Sequence, residues 1–141
     1  MDIKKLLIGG IVGGIAFFLL GWLIYGMLLM DFMNNHTGTA GNVNRAEADM
    51  QWLYLIIGNL AQGFMLAYIF VRANVTKVGD GIVTGAIVGL LVSVAFDCIM
   101  YATTTIISKT AMAADVAAAT VMVAVVGAII AVVMNMGKKA A

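Results

Sequence analysis

Four long apolar runs dominate this chain and limit what it can fold into. They occupy residues 6–30, 51–70, 82–107 and 114–136. Each is long enough to cross the hydrocarbon core of a bilayer as an α-helix, which takes ~20 apolar residues. A helix satisfies its own backbone hydrogen bonds in lipid. The sequence shows no series of short segments in which apolar and polar residues alternate, the pattern typical of a transmembrane β-barrel. We predict an all-α polytopic membrane protein, a single domain (residues 1–141) with four transmembrane helices.

The composition favours the same class of protein and argues against others. Hydrophobic residues make up 63% of the 141 residues and charged residues 11%. A soluble domain of this size could not bury so much apolar surface. The net charge of +1 predicts no nucleic-acid partner. The sequence offers neither a Cys/His cluster for a metal nor a nucleophile with a base, so we expect no cofactor and no enzymatic activity.

The basic residues predict how the chain is oriented in the membrane. Basic side chains concentrate on the cytoplasmic side of bacterial membrane proteins. With the N-terminus inside, only Arg45 and Lys109 lie outside, and the cytoplasmic set is Lys4, Lys5, Arg72, Lys77, Lys138 and Lys139. We therefore predict an up-down bundle with both termini in the cytoplasm. The first run is too long for a signal-peptide core and lacks an A-x-A motif, so we interpret it as an uncleaved span.

A weak internal similarity raises the alternative of two tandem helical hairpins. The stretch "GIVGGIAFFLL" at positions 10–20 is similar to "GIVTGAIVGLL" at positions 81–91. Each would begin a span that leaves the cytoplasm and is followed by a returning span. The loop between the first two spans is irregular in composition. Within it, Asn44 and Glu47 resemble a capping box that begins the second helix, and His36 is expected to be solvated.

Small residues recur at four-residue spacing, which is typical of close helix packing in membranes. The residues that we assign to helix packing are Gly10, Gly14, Gly81, Gly85, Gly89, Ala124 and Ala128. The glycines lie mostly in the cytoplasmic halves of the first and third spans. We expect the helices to be closest there, with either another helix of the chain or another subunit as the partner.

One acidic residue, Asp97, lies inside the third apolar run, where a carboxyl group is unfavourable and needs an explanation. The glycine spacing continues through Ser93 and Asp97 to Tyr101, so these side chains share one helical face. Asp97 should therefore face a neighbouring helix and not lipid. An ionised aspartate at this depth costs several kcal/mol, so intramembrane acids are usually functional.

The second span carries two amides, Asn59 and Gln62, three residues apart and at a depth similar to that of Asp97. We predict one polar cluster in the outer half of the bundle, which also includes Trp22, Tyr25 and Thr120. Asp97 could hold a proton, accept hydrogen bonds from Asn59, Gln62 and Tyr101, or face a water-filled cavity. Two interpretations stay open: a site for a cation, proton or small polar ligand, or a hydrogen-bonded link between the second and third helices.

Three stretches resemble a group of uncharacterised four-helix integral membrane proteins of bacteria, especially Bacteroidetes. They are "GWLIYGMLLMDF", "NLAQGFMLAYIF" and "GLLVSVAFDCIMY", at the ends or middles of the first three spans. The resemblance covers nearly the whole chain and implies a bacterial inner-membrane location, but no activity. In size the chain also resembles the small multidrug transporters, yet its first span lacks their essential glutamate. The Gly-Arg region of fluoride channels is absent too.

Two functions from different classes follow from these residues. The first is a small non-enzymatic membrane protein, oligomeric, that binds or passes a small solute or cation at the Asp97 cluster. The alternative is an accessory or scaffold subunit that packs against a larger membrane complex through its glycine and alanine faces. Both place the chain in the lipid bilayer, as a homo-oligomer or as part of a larger assembly.

Overall fold

The structure, a computed structural model, describes residues 1–41 and 43–136, and in that part of the chain the only regular elements are helices. These are α1 (Ile3–Leu23), α2 (Met30–Asn35), α3 (Trp52–Arg72), α4 (Val78–Thr103) and α5 (Lys109–Met136). A π-helical turn, Ile24–Leu28, extends α1, and a 3₁₀ turn, Glu47–Asp49, precedes α3. The four stretches Ile3–Leu28, α3, α4 and α5 are long and apolar enough to cross a membrane, as predicted.

The helix ends are set by local hydrogen bonds that the apolar pattern does not reveal. Helix α4 ends at Thr103 and not at residue 107, since Thr104 already has an extended backbone. Helix α5 begins at Lys109 and not at residue 114. The Ser108 hydroxyl oxygen accepts a hydrogen bond from the Ala111 N–H at 3.1 Å, which is an N-cap.

The first two long helices, α1 and α3, begin in different ways. Asp2 caps α1 by accepting a hydrogen bond from the Lys5 N–H at 3.1 Å. This bond lowers the pKa of the Asp2 carboxyl below its ordinary value of 3.8. Helix α3 has no side-chain cap and begins after Gln51, so the predicted capping box at Asn44 is wrong. The Asn44 amide instead lies 3.4 Å from the Asn34 side-chain oxygen.

The four long helices pack in the order α3, α1, α5, α4. Helix α1 packs extensively on α3 and on α5, and α5 packs extensively on α4, whereas α3 has only slight contact with α4 and α5. The shared core forms where α1, α3 and α5 meet, and its most deeply buried side chains are Phe17, Leu66, Phe70, Val126 and Ile130. The outer edges of this arrangement are therefore formed by α3 and α4.

Glycine permits the close contact between α1 and α3. A methyl group at Gly63 would overlap the backbone of Gly10, Gly13 and Gly14, and one at Gly14 would lie 2.9 Å from the Leu60 Cα. The residue order of these contacts makes the two helices antiparallel. Gly10 and Gly14 thus have a partner within the same chain, at the face where the sequence predicted close packing.

A second glycine contact joins α4 to α5. Gly81 lies against the Gly127 backbone, and a methyl group at Gly85 would lie 3.2 Å from the Ala124 Cα. Gly89 lies against Val123 and the carbonyl of Ala119, so these helices are antiparallel too. The small face of α5 is centred on Gly127 and the buried Ala131, while Ala128 is only half-buried.

Hydrogen bonds join the chain's connecting segments at both ends of the helices. The Gly38 and Ala40 N–H groups donate to the carbonyls of Ile106 (2.9 Å) and Thr105 (3.2 Å). His36, expected to be solvated, is half-buried and stacks on Phe32, with ring centroids 4.2 Å apart. At the opposite end, the Asn135 amide donates to the Thr76 carbonyl.

Candidate functional site

The face of α4 that continues the glycine spacing is buried against α5. Gly85, Gly89, Ser93 and Asp97 are all buried, and only 3% of the Asp97 surface remains exposed. Tyr101, one step further along the same face, is 40% exposed because α4 ends soon after it. Asp97 therefore faces a neighbouring helix and not lipid, and the neighbour is α5.

The partner of Asp97 is a second carboxyl group. Asp115 of α5 is half-buried, and its carboxyl group is close enough to that of Asp97 for the two to interact electrostatically. Both residues sit about two turns from the connection between α4 and α5, at a depth of about 9 Å from their helix ends. Antiparallel packing through the glycine face brings them to the same level.

Tyr25 of the π-helical turn completes the group, because its side chain lies near Asp115. The turn closes with a bond of 2.7 Å from the Leu29 N–H to the Ile24 carbonyl, five residues back. The extra residue shifts the side chains that follow it relative to an unbroken α-helix. Single π-helical turns of this kind are frequent at functional sites.

The charges at this site are not balanced by the described protein groups. The Asp97 Oδ2 atom is buried and has no hydrogen-bond partner in the structure. An ionised carboxylate only accepts hydrogen bonds, so Asp97 and Asp115 can bond to each other only when one of them holds a proton. Across residues 1–41 and 43–136 the single salt bridge joins Lys5 to Asp2, far from this pair. The site can therefore gain stability from a proton or a small cation.

Asn59 and Gln62 are not at this site, because α3 and α4 are not neighbours. The Asn59 amide donates to the Leu55 carbonyl of its own helix at 2.7 Å, and Gln62 is exposed. The predicted single cluster of Asp97 with both amides is therefore not what the structure forms. Equal depth in the membrane does not make two helices adjacent.

The other predicted site residues lie close to Asp97 in sequence or depth but bond elsewhere. The hydroxyls of Ser93 and Thr120 donate to the carbonyls of Gly89 and Val116 in their own helices, each at 2.7 Å. The Tyr101 ring lies 5.8 Å from the Lys109 ammonium nitrogen, which fits a cation–π contact. These side chains contribute no free donor that the structure directs at the carboxyl pair.

A separate cleft of about 590 Å³ is lined by four of the predicted site residues, Trp22, Tyr25, Asn59 and Gln62. We name it the α1–α3 cleft, and the residues that define it are Gly21, Trp22, Tyr25, Trp52, Asn59 and Gln62. Asp97 and Asp115 are not among its lining residues. The residues that the sequence assigned to one cluster thus occupy two places, and Tyr25 takes part in both.

Asp115, the acid that interacts with Asp97, was not among the predicted site residues. It is the second residue of the apolar run predicted at 114–136, in the segment "AMAADVAAATVMV". An acid in such a segment was a signal of the same kind as Asp97. It lies near the predicted start of that run, whereas α5 begins earlier, at Lys109, so Asp115 is about two turns inside the helix.

The four long apolar helices and the buried intramembrane carboxyl group define an integral membrane protein. Comparisons of the chain with protein-family models, curated proteins and solved structures find no match. The resemblance to four-helix bacterial membrane proteins therefore stays a prediction. Within the described residues, no group of three or more His, Cys, Asp or Glu side chains is arranged to hold a metal ion.

Proposed function

We propose that this protein binds a small monovalent cation, either a proton or an alkali-metal ion, at Asp97 and Asp115 and passes it through the membrane. The observation that carries the proposal is the buried Asp97 Oδ2 atom, which has no partner among the described residues. Two carboxyl groups and one hydroxyl offer too few ligands for Ca²⁺, which takes about six to eight oxygen atoms. A monovalent ion neutralises the pair with fewer ligands.

The proposal includes an arrangement in the membrane. We infer an up-down bundle, with both termini in the cytoplasm of a bacterial cell and the carboxyl pair in the outer half of the inner membrane. The antiparallel contacts of α1 with α3 and of α4 with α5 support it, as does the distribution of basic residues along the sequence. Lys138 and Lys139 contribute to that distribution but lie outside the described residues.

Ion flux in reconstituted liposomes tests the proposal. An imposed proton or Na⁺ gradient is followed with an entrapped pH-sensitive or Na⁺-sensitive dye. The unchanged protein should dissipate one of these gradients, and Asp97→Asn and Asp115→Asn should each slow the flux at least ~10-fold, as expected when a contact worth ~1.4 kcal/mol or more is lost. Ser93→Ala and Thr120→Val are matched controls, because these hydroxyls bond only within their own helices.

A second measurement detects binding even where transport is slow. A hydrophobic carbodiimide modifies protonated carboxyl groups in apolar sites, and the attachment is read as an added mass on the intact protein. We expect labelling of the unchanged protein that Na⁺ or high pH suppresses, and none in the Asp97→Asn/Asp115→Asn double variant. The proposal is overturned if the flux is equal in all variants and neither Na⁺ nor high pH changes the labelling.

The alternative function, an accessory or scaffold subunit, depended on glycine faces that are free to bind a partner. Gly10, Gly14, Gly81 and Gly85 instead lie against other helices of the same chain. The cation site therefore has the stronger support. Purification from native membranes in stoichiometric complex with another protein would favour the alternative, and a homo-oligomer would fit the exposed outer edges formed by α3 and α4.

A further inference from the structure

The α1–α3 cleft holds a polar group at a depth where lipid cannot satisfy it. Gln62 lies about 15 Å into α3, which is near the middle of a bilayer about 30 Å thick. Its side chain is exposed and forms no hydrogen bond with any of the described residues. A primary amide without hydrogen-bond partners in an apolar medium costs free energy. A molecule in the cleft that hydrogen-bonds to Gln62 would offset this cost.

The other walls of the cleft indicate what kind of molecule fits. Trp22 of α1, Tyr25 of the π-helical turn and Trp52 of α3 supply aromatic faces. Arg45 and Glu47 contribute one charge of each sign at the outer end. Flat apolar groups pack well on such faces. The opposite charges offset each other, which favours a ligand without net charge. The volume of about 590 Å³ is that of a site for a small organic molecule.

We propose that the α1–α3 cleft is a second binding site, for an uncharged flat amphiphile whose aromatic body lies against Trp22 and Trp52 and whose carbonyl group accepts a hydrogen bond from Gln62. This site is distinct from the carboxyl pair and does not depend on cation binding. The ligand reaches it from the lipid phase, because its apolar body partitions there.

The chain contains its own reporters and its own matched pair of variants. Its two tryptophans, Trp22 and Trp52, both line the cleft. A methyl group at Gly21, which also lines the cleft, would meet no atom of another element within 4 Å, so Gly21→Leu introduces an apolar side chain there with no clash at its Cβ. Gly58 of α3 has the same open surroundings but does not line the cleft, so Gly58→Leu is the control.

The probe is 6-propionyl-2-(dimethylamino)naphthalene, a flat uncharged ketone that accepts energy from tryptophan and whose emission shifts to longer wavelength when its carbonyl is hydrogen-bonded. In detergent and in lipid vesicles, we expect saturable energy transfer from the protein to the probe. Gly21→Leu should weaken the apparent affinity at least ~10-fold, and Gly58→Leu should leave it unchanged. Gln62→Leu should remove the wavelength shift and weaken binding by about five- to tenfold.

Each outcome decides the proposal separately from the cation site. Equal energy transfer in the Gly21→Leu and Gly58→Leu variants overturns it, because the probe is then only dissolved in the surrounding lipid. Saturable transfer in detergent that disappears in vesicles also overturns it, since an acyl chain of the bilayer then fills the cleft. Asp97→Asn should leave the transfer unaltered, so failure of the cation proposal does not affect this test.

Discussion

At the scale of single residues, Asp97 is a buried acid in an apolar helix, and its Oδ2 atom lacks the partner that would make it structural. A carboxylate that links two helices needs donors, and the group that interacts with it, Asp115, is itself an acid. Such a pair destabilises the apo protein when both groups are charged. Function, and not stability, is the better reason for an acid at this position.

Removal of the Asp97 charge should therefore leave the fold intact. We expect Asp97→Asn to lower the free energy of unfolding by less than about 1 kcal/mol, the typical net value of one hydrogen bond. The measurement is reversible unfolding in mixed micelles, with Ser93→Ala as the reference. A loss of about 3–5 kcal/mol, the cost of breaking a satisfied buried pair, would show that Asp97 is a structural link.

The four-residue spacing in the sequence was sufficient to identify the buried face of α4, because spacing along one helix fixes which side chains share a face. The same spacing says nothing about which helix covers that face. Asn59 and Gln62 were placed beside Asp97 on depth alone, and Asp115 was overlooked. The composition of the candidate site depends on which helices are neighbours, which is a tertiary property.

At the scale of elements, glycine sets how closely the helices approach. At Gly63 an added methyl group would overlap the α1 backbone, which cannot move aside as a flexible side chain can. At Gly58, five residues away on the same helix, a methyl group meets nothing within 4 Å. Two glycines of one helix therefore have opposite structural roles.

These two positions give a clean comparison of packing and helix propensity. We expect Gly63→Ala to lower the free energy of unfolding by about 1–3 kcal/mol, because it overpacks the α1–α3 contact. Gly58→Ala should stabilise the protein by about 0.5–1 kcal/mol, the difference in helix propensity. Unfolding of the two variants in mixed micelles measures both. Equal effects of the two substitutions would contradict the observed α1–α3 contact.

The number and approximate extent of the long helices could be predicted, since hydrophobic length dominates in a bilayer. Their ends could not, because these depend on single polar contacts. Ser108 begins α5 before its apolar run, and the extended backbone at Thr104 ends α4 early. The π-helical turn at Ile24–Leu28 has no equivalent signal in the sequence.

At the scale of the whole molecule, the proposed orientation can be tested on intact cells. In a Cys98→Ser background, we expect Asn44→Cys to react with a membrane-impermeant maleimide from the outside. Lys77→Cys should react only after the membrane is permeabilised, because the proposed orientation places the connection between α3 and α4 in the cytoplasm. The mass added to the purified protein gives the extent of reaction. The opposite pattern would invert the topology and place the carboxyl pair in the inner half of the membrane.

The order α3, α1, α5, α4 also means that the protein consists of two helical pairs joined chiefly along one line of contact. Gly9 and Gly13 of α1 meet Ile130 and Met134 of α5 on that line, toward the end of the molecule where the Asn135 amide bonds to Thr76. Tyr25 and Asp115 lie beyond it, one on each pair. A small rotation of one pair against the other about this line of contact would change the separation of Tyr25 and Asp115. Any coupling between the two helical pairs would therefore depend on the α1–α5 contact.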